Sequence, residues 1–481
     1  VARSAIRRLP LRRDAASERP PDKRAGGCVA RALPRDADLL ALHRRDPARY
    51  PHLLESAARG LASSDNSHDI LFAFPGAILR KDWGAPASGF LAAFDAAFHA
   101  ETIARDDSDM PSLPFRGGWF VYLGYELAGE IEPSLSLPAA KGDALASALP
   151  VACAVRLPAA VLRDRVCGAL TLIVEAGQEH LLDIMEADLA ALAEVAPAPV
   201  ALAGPLIEDD AARHLAAVAK VRDYIFAGDI FQANLSRAWR GRLQAGASHA
   251  DLYESLRARN PAPFAALATF GETAIVSSSP ERLLRVRGEV IDTRPIAGTR
   301  PRGQGDAADA ALSAELIANP KERAEHIMLV DLERNDLSRV CVPGSVVVDE
   351  MMAVESYAHV HHIVSNVTGR LRPGVSPGEA IAALFPGGTI TGCPKVRCME
   401  ILAELEGEAR GPYTGALGYV NRDGDMDFNI LIRTMLRVGD AIEFRAGGGI
   451  VADSTPEREL AETRAKARGL LRALNAADAP E

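Results

Sequence analysis

Three successive glycines, Gly447, Gly448 and Gly449, end an alternating stretch containing Ile442 and Phe444 and lead into Ile450-Val451-Ala452-Asp453-Ser454-Thr455-Pro456. Three positions without a side chain mean that another part of the molecule, or a ligand, comes close to that backbone. The stretch reads as a glycine turn feeding a helix, with amides left free for an anion. The helix start is marked by Ser454 or Thr455 as N-cap, by Pro456 in the first turn, and by Glu457 placed for a capping box on Ser454. Glu459 and Glu462 lie three residues apart and Lys466 four further on, so all three project from one helical face.

A pair of carboxylates on one helix face is most often a solvated, salt-bridged surface. A second pair with the same spacing, Glu322 and Glu325, falls on another predicted helix. If the two helices meet, four carboxylates converge, and hard oxygen ligands in that number suit magnesium beside an anionic substrate. The formal charge of the 481-residue chain is -10, which argues against a general nucleic-acid or membrane-surface role. An anionic ligand therefore needs positive charge supplied locally.

Neither a zinc site nor a disulfide framework is indicated, because the six cysteines (Cys28, Cys153, Cys167, Cys341, Cys393, Cys398) contain no C-x-x-C pair. A reducing, cytoplasmic setting fits, and no apolar run approaches membrane-spanning length. Residues 1–30 are rich in arginine and proline without the apolar centre of a signal peptide, so they read as a disordered or extended tail. An alanine-proline stretch from Glu194 to Pro205 reads as a linker, which gives an N-terminal domain over 31–205 and a second over 206–475. In Phe115 to Leu127, glycines among aromatics suggest a strand passing close over another element. Gly415 to Phe444 reads as a meander with turns at Asp423-Gly424 and Gly439-Asp440. Antiparallel strand groups with helices between them indicate an α+β fold, with large antiparallel sheets flanked by helices. No Walker or dinucleotide pattern accompanies the glycine loops.

Several long signatures occur in one order: Gly117-Gly118-Trp119-Phe120, Val360-His361-His362-Ile363-Val364-Ser365, Phe385-Pro386-Gly387-Gly388-Thr389-Ile390-Thr391-Gly392, and Gly447-Gly448-Gly449-Ile450-Val451-Ala452-Asp453-Ser454. Through them the chain resembles the chorismate-utilising family, closely over about Ala211 to Leu474 and more loosely before it. Within that family it most resembles aminodeoxychorismate synthase component I, with anthranilate synthase component I as a near relative. The resemblance implies a two-domain fold whose first domain is regulatory-like and whose second binds chorismate. It implies amination of chorismate with ammonia to 4-amino-4-deoxychorismate, for para-aminobenzoate and folate synthesis.

The resemblance assigns magnesium to Glu325 and Glu462, supported by Glu322 and Glu459. Substrate carboxylates are assigned to Tyr413, Arg433, Lys466 and the amides around Gly448 and Gly449. Glu281 matches the general acid that protonates the departing ring hydroxyl, His362 the active-site histidine, and Thr389 a contact to the ring. Isochorismate and salicylate synthases place a base, lysine, where this chain has Gln232, and an amide cannot activate water. Aminodeoxychorismate synthases commonly carry Pro-Ile-Lys-Gly-Thr, whose lysine is the proposed nucleophile at ring carbon 2. Here the motif is Pro295-Ile296-Ala297-Gly298-Thr299, as in anthranilate synthases. Leu54-Glu55-Ser56 resembles the segment lining a tryptophan pocket in the first domain, which keeps a non-catalytic, amino-acid-sensing relative in view. No cysteine lies in a Gly-x-Cys-x-Gly elbow, so the implied glutamine amidotransferase is a separate subunit.

Overall fold

Many strands of this chain are apolar on both faces. In Gly118–Leu123, Trp119, Val121 and Leu123 enter one buried cluster while Phe120 and Tyr122 enter another. Alternation of that kind requires cover on both sides. A computed structural model describes residues 22–476 apart from 26, 58–67, 87–88, 106–112, 141, 143, 194 and 358–359. Among the described residues the strands form two antiparallel sheets, one of thirteen strands and one of ten. One core lies between the sheets and includes Phe72, Phe115, Phe120, Ile275 and Leu417. A second lies under the helices Leu39–Arg45, His180–Ala190, His249–Arg259 and Pro456–Ala473 on the outside of the thirteen-stranded sheet. The third lies under Phe90–Glu101, Pro320–Ser338 and Pro377–Leu384 on the outside of the ten-stranded sheet. The layers therefore run helices, sheet, sheet, helices, which is the α+β fold expected.

Both sheets run through the boundary expected near residue 205. His52–Glu55 pairs with Phe264–Phe270 in one sheet, and Gly118–Leu123 pairs with Ala416–Asn421 in the other. Residues 195–206 form no regular element beyond the bridge between Leu202 and Leu243. The ordered chain also starts before residue 31, because Cys28–Leu33 pairs along Leu170–Glu175 and Lys23–Ala25 pairs back on it. Residues 1–21 of the expected tail lie outside the described residues.

The expected meander is divided between the sheets. Ala416–Asn421 and Met426–Ile430 belong to the ten-stranded sheet, Thr434–Val438 and Ala441–Ile450 to the thirteen-stranded one. The chain crosses over at Leu431, Ile432 and Arg433. It crosses again at Pro280 and Glu281, between Thr273–Ser279 and Arg282–Arg287. The two crossings are tied to each other: Ile430 N–H donates to the Glu281 carbonyl at 3.0 Å, Ser278 N–H to the Arg433 carbonyl at 3.1 Å, and the Ser279 hydroxyl to the Ile430 carbonyl at 2.5 Å.

Among the described residues no helix is long and apolar enough to cross a membrane, and none of the six cysteines forms a disulfide. The close passage read from the Phe115 to Leu127 stretch occurs at Gly118, whose φ is 149° and where a Cβ would lie 2.1 Å from the Val420 carbonyl oxygen of the paired strand. Gly118→Ala is expected to lose about 1–3 kcal/mol of stability, seen as a lower midpoint in thermal unfolding, because the obstacle is backbone and not a side chain that can rotate away.

Candidate active site

Glu281 and Arg433 sit on the two tied crossings, where the backbone leaves one ladder for the other. Glu281 is 4% exposed, and its Oε1 accepts from Ile296 N–H at 3.4 Å. Burial pushes its carboxyl up to about 7. The Thr389 hydroxyl, Ile296 N–H and the charges of Arg433 and Lys466 pull it only part of the way back. Thr389 lies close enough to favour the carboxylate yet short of a full hydrogen bond, which leaves its Oγ1 unsatisfied.

Arg433 lies between the strands Met426–Ile430 and Thr434–Val438 and on neither. It occupies the crossing at φ 52°, a left-handed backbone uncommon for a residue with a side chain. Arg433 is partly exposed, desolvation lowers its pKa, and among the described residues it has no ion pair or side-chain hydrogen bond, although the charges of Glu281 and Tyr357 reach it. A partly exposed guanidinium with no ion pair among the described residues is open to an anion brought by a ligand. His362, on the strand Val360–Arg370, is 2% exposed and pushed down to about 3 by burial, then by Arg433. It is therefore neutral, with its ring edge-on to Tyr357 at 5.6 Å.

The three glycines are strand residues, not the turn expected: Gly447, Gly448 and Gly449 pair with Ser236, Leu235 and Asn234 of Gln232–Arg242. Their other edge is not taken by Thr434–Val438, whose pairing stops at Phe444, so alternate amides on that edge face away from the ladder. Each missing side chain has an occupant. A Cβ at Gly447 would lie 2.7 Å from the Tyr413 hydroxyl, and one at Gly449 would lie 2.2 Å from Gln232 Nε2. At Gly448 it would lie 3.2 Å from both Glu459 Oε2 and Glu462 Oε1.

The helix after the glycines runs Pro456–Ala473 with Thr455 as N-cap, and the capping box does not form. Ser454 Oγ instead accepts from Val451 N–H at 3.0 Å. Glu459, Glu462 and Lys466 do share a face, with Lys466 Nζ 2.7 Å from Glu462 Oε1. The second carboxylate pair behaves differently. Glu322, on Pro320–Ser338, is held by Arg300 at 3.0 Å, and Glu325 is partly buried three residues further on. Among the described residues no three His, Cys, Asp or Glu side chains come together as a metal cluster, so the convergence of all four glutamates is not found. Glu459 and Glu462 over Gly448 nevertheless fit a magnesium ion, which is commonly held through one or two carboxylates together with water and substrate.

Three buried residues at the site were not anticipated. Asn234 follows Gln232 by two positions and so shares its strand face. Asn234 Nδ2 and Gln232 Oε1 are both buried and unsatisfied. That spacing was legible. Glu333 and Arg410 carried no local signal. Glu333 Oε1 accepts from Gly388 N–H at 3.1 Å. Arg410 bonds Glu406 through two nitrogens, each at 2.8 Å, donates to the Asn234 carbonyl at 2.7 Å and lies over the Tyr413 ring. Leu54-Glu55-Ser56 forms another group: Glu55 accepts from the Tyr253 hydroxyl at 2.6 Å and pairs with Arg257, and Ser56 N–H donates to Asp69.

The crossing thus sets a buried glutamate with a raised carboxyl beside an arginine that has no ion pair among the described residues. The family model for chorismate binding enzymes matches residues 61–472. The chain belongs to that family. It is 43% identical over 408 residues to anthranilate synthase component 1 1 of Haloarcula marismortui, covering 81% of this chain and 82% of that one. It is 48% identical over 272 residues to aminodeoxychorismate synthase component 1 of Bacillus subtilis, covering 56% and 57%. The crystal structure of anthranilate synthase component I from Streptococcus pneumoniae superposes with a TM-score of 0.73 at 30% identity, over 85% of this chain and 93% of that one.

Arg433→Met removes a partly exposed charge that has no ion pair among the described residues. It is expected to leave the thermal midpoint of the ligand-free chain unchanged or raise stability by about 1 kcal/mol, while chorismate binding measured by calorimetry is lost. A variant that unfolds earlier yet still binds chorismate contradicts the assignment.

Proposed function

We propose that the chain aminates chorismate with ammonia to 4-amino-4-deoxychorismate, as component I of an aminodeoxychorismate synthase. The observation that carries this reading is the Glu281 carboxyl, buried and pushed up to about 7, beside an arginine that has no ion pair among the described residues. Glu281 gives its proton to the departing ring hydroxyl, which leaves as water. A C–N bond forms to ammonia, and the nitrogen then loses one proton, so charge and atoms balance. Arg433, Tyr413, Lys466 and the outward amides around Gly448 and Gly449 bind the carboxylates, and Thr389 holds the acid in place. Neutral His362 acts as a hydrogen-bonding wall. Gln232 cannot serve as a base for water, which favours amination over hydration. Glu459 and Glu462 would hold magnesium, joined by Glu325, and the ion when bound supplies positive charge against the ring carboxylate. The resemblance to the Bacillus subtilis protein supports amination at ring carbon 4. Ala297, in place of lysine, and the greater length matched by the Haloarcula protein favour a second reading, in which the product is anthranilate.

Incubation with chorismate, magnesium and an ammonium salt, followed by product mass and absorbance, separates the two readings. Isochorismate or salicylate formed without ammonia rejects both. Glutamine is expected to support turnover only when a glutaminase subunit is added; its use by the single chain contradicts the two-component reading. Because the acid must be protonated, kcat is expected to fall as pH rises through about 7, and Glu281→Gln to lower kcat by about two to four orders of magnitude. Chelation is expected to abolish turnover, and Glu462→Gln to raise the magnesium requirement at least about tenfold; undiminished activity in chelator removes the metal from the reading.

A further inference from the structure

Glu333 is a buried acid that the reaction just described does not use. It lies on the helix Pro320–Ser338, 3% exposed. Its Oε1 accepts from Gly388 N–H, while Oε2 is buried and unsatisfied among the described residues. Gly388 opens the short turn Gly388–Ile390, and the next residue, Thr389, meets the Glu281 carboxyl. Two consecutive residues therefore connect two buried carboxyls, one on each side of the turn.

The neighbours of Glu333 leave it without a cation of its own. Lys395, on the helix Lys395–Glu406, is bound at 2.5 Å to Asp336, which lies three residues beyond Glu333. Arg339 also acts on Asp336. Burial, then the Asp336 charge, push Glu333 up to about 8, and the Glu281 charge adds to the rise while Lys395 and Gly388 N–H oppose it. Burial and the neighbouring carboxylates thus favour the protonated form of Glu333.

We propose that Glu333 is a positioning residue for the acid: it fixes the turn that sets Thr389 against Glu281, and it stores the proton from which Glu281 is recharged. The inference rests on Glu281 being the general acid. After Glu281 has protonated the leaving hydroxyl, the O–H bond of Glu333 breaks as that of Glu281 re-forms, with a hydroxyl or a water carrying the proton across the turn. The Glu333 carboxylate left behind, within the field of Lys395, recovers a proton from solvent.

Glu333→Gln keeps an acceptor for Gly388 N–H and nearly the same volume but holds no proton. Solvent recharges Glu281 readily at low pH and poorly at high pH, so the ratio of wild-type to variant kcat is expected to rise by about tenfold between pH 6 and pH 8, with KM for chorismate unchanged within about twofold. A merely structural role scales kcat by one factor at every pH, and parallel profiles overturn the proposal. The wild-type chain gives a second measurement that does not depend on the variant folding. Its kcat in mixed light and heavy water is expected to curve with deuterium fraction, as when two protons move, and a straight line overturns the proposal. Glu281→Gln assayed alongside separates the two claims. If it keeps its activity the reading of the site fails, whereas an inactive Glu281→Gln with parallel Glu333→Gln profiles rejects the proton store alone.

Discussion

The pairing of the two crossings is the constraint on which the site depends. Glu281 and Arg433 are 152 residues apart in sequence by their numbering, and they meet because the chain changes sheet twice at the same level. Four hydrogen bonds join the crossings, the Ser278 hydroxyl adding one to the Arg433 carbonyl at 3.4 Å, and the Ser277 hydroxyl makes a fifth contact to Thr434 at 2.8 Å. Each contributes about 1 kcal/mol net, against the left-handed backbone that Arg433 adopts at φ 52°. The crossings do not hold Arg433 by themselves. Thr273–Ser279 is paired on both sides, with Phe264–Phe270 and Thr434–Val438, and the ladders anchor the strained segment from both ends.

The glycine strand is the second constraint, and it works by omission. Tyr413, Gln232 and the Glu459–Glu462 pair occupy the volumes that side chains at 447–449 would fill. Tyr413 is itself fixed from behind by Arg410, a fully enclosed cation matched to Glu406, which also receives Ser236 N–H and the Ser236 hydroxyl. A network in which every charge has a partner thus lies behind one in which the arginine has none. That contrast separates scaffold from site in physical terms.

What the sequence disclosed follows the range of the forces involved. Alternation gave the strands, and helical spacing put Glu459, Glu462 and Lys466 on one face, because both are local. The glycine run was misread as a turn because a local pattern cannot tell a backbone that bends from one closely approached by other residues. The capping box failed because the Ser454 hydroxyl is taken by Val451 N–H, a competitor just outside the motif. Glu322 pointed to a metal until Arg300 came beside it across a strand. The segment around Pro205 was visible as composition, but the pairing of strands across it was not, since register between distant segments leaves no periodic trace. Asn234 was within reach of the same alternation that gave Gln232. Glu333 and Arg410 were not, because their roles depend on loops distant in sequence.

Charge state resolves how an acidic chain can host an anion. Glu281 and Glu333 are both raised by burial, so near neutrality neither contributes a full negative charge. Glu322 is matched by Arg300 and Glu462 by Lys466. His362, held near 3, adds no positive charge, which leaves Arg433 as the cation without a described partner. A substrate carboxylate arriving at Arg433 would neutralise that charge, and Glu281 would then lose one of the fields that favours its ionised form. Binding would therefore push the Glu281 carboxyl further up and hold the proton it must give. In this arrangement a single guanidinium would couple the binding of an anion to the protonation of Glu281.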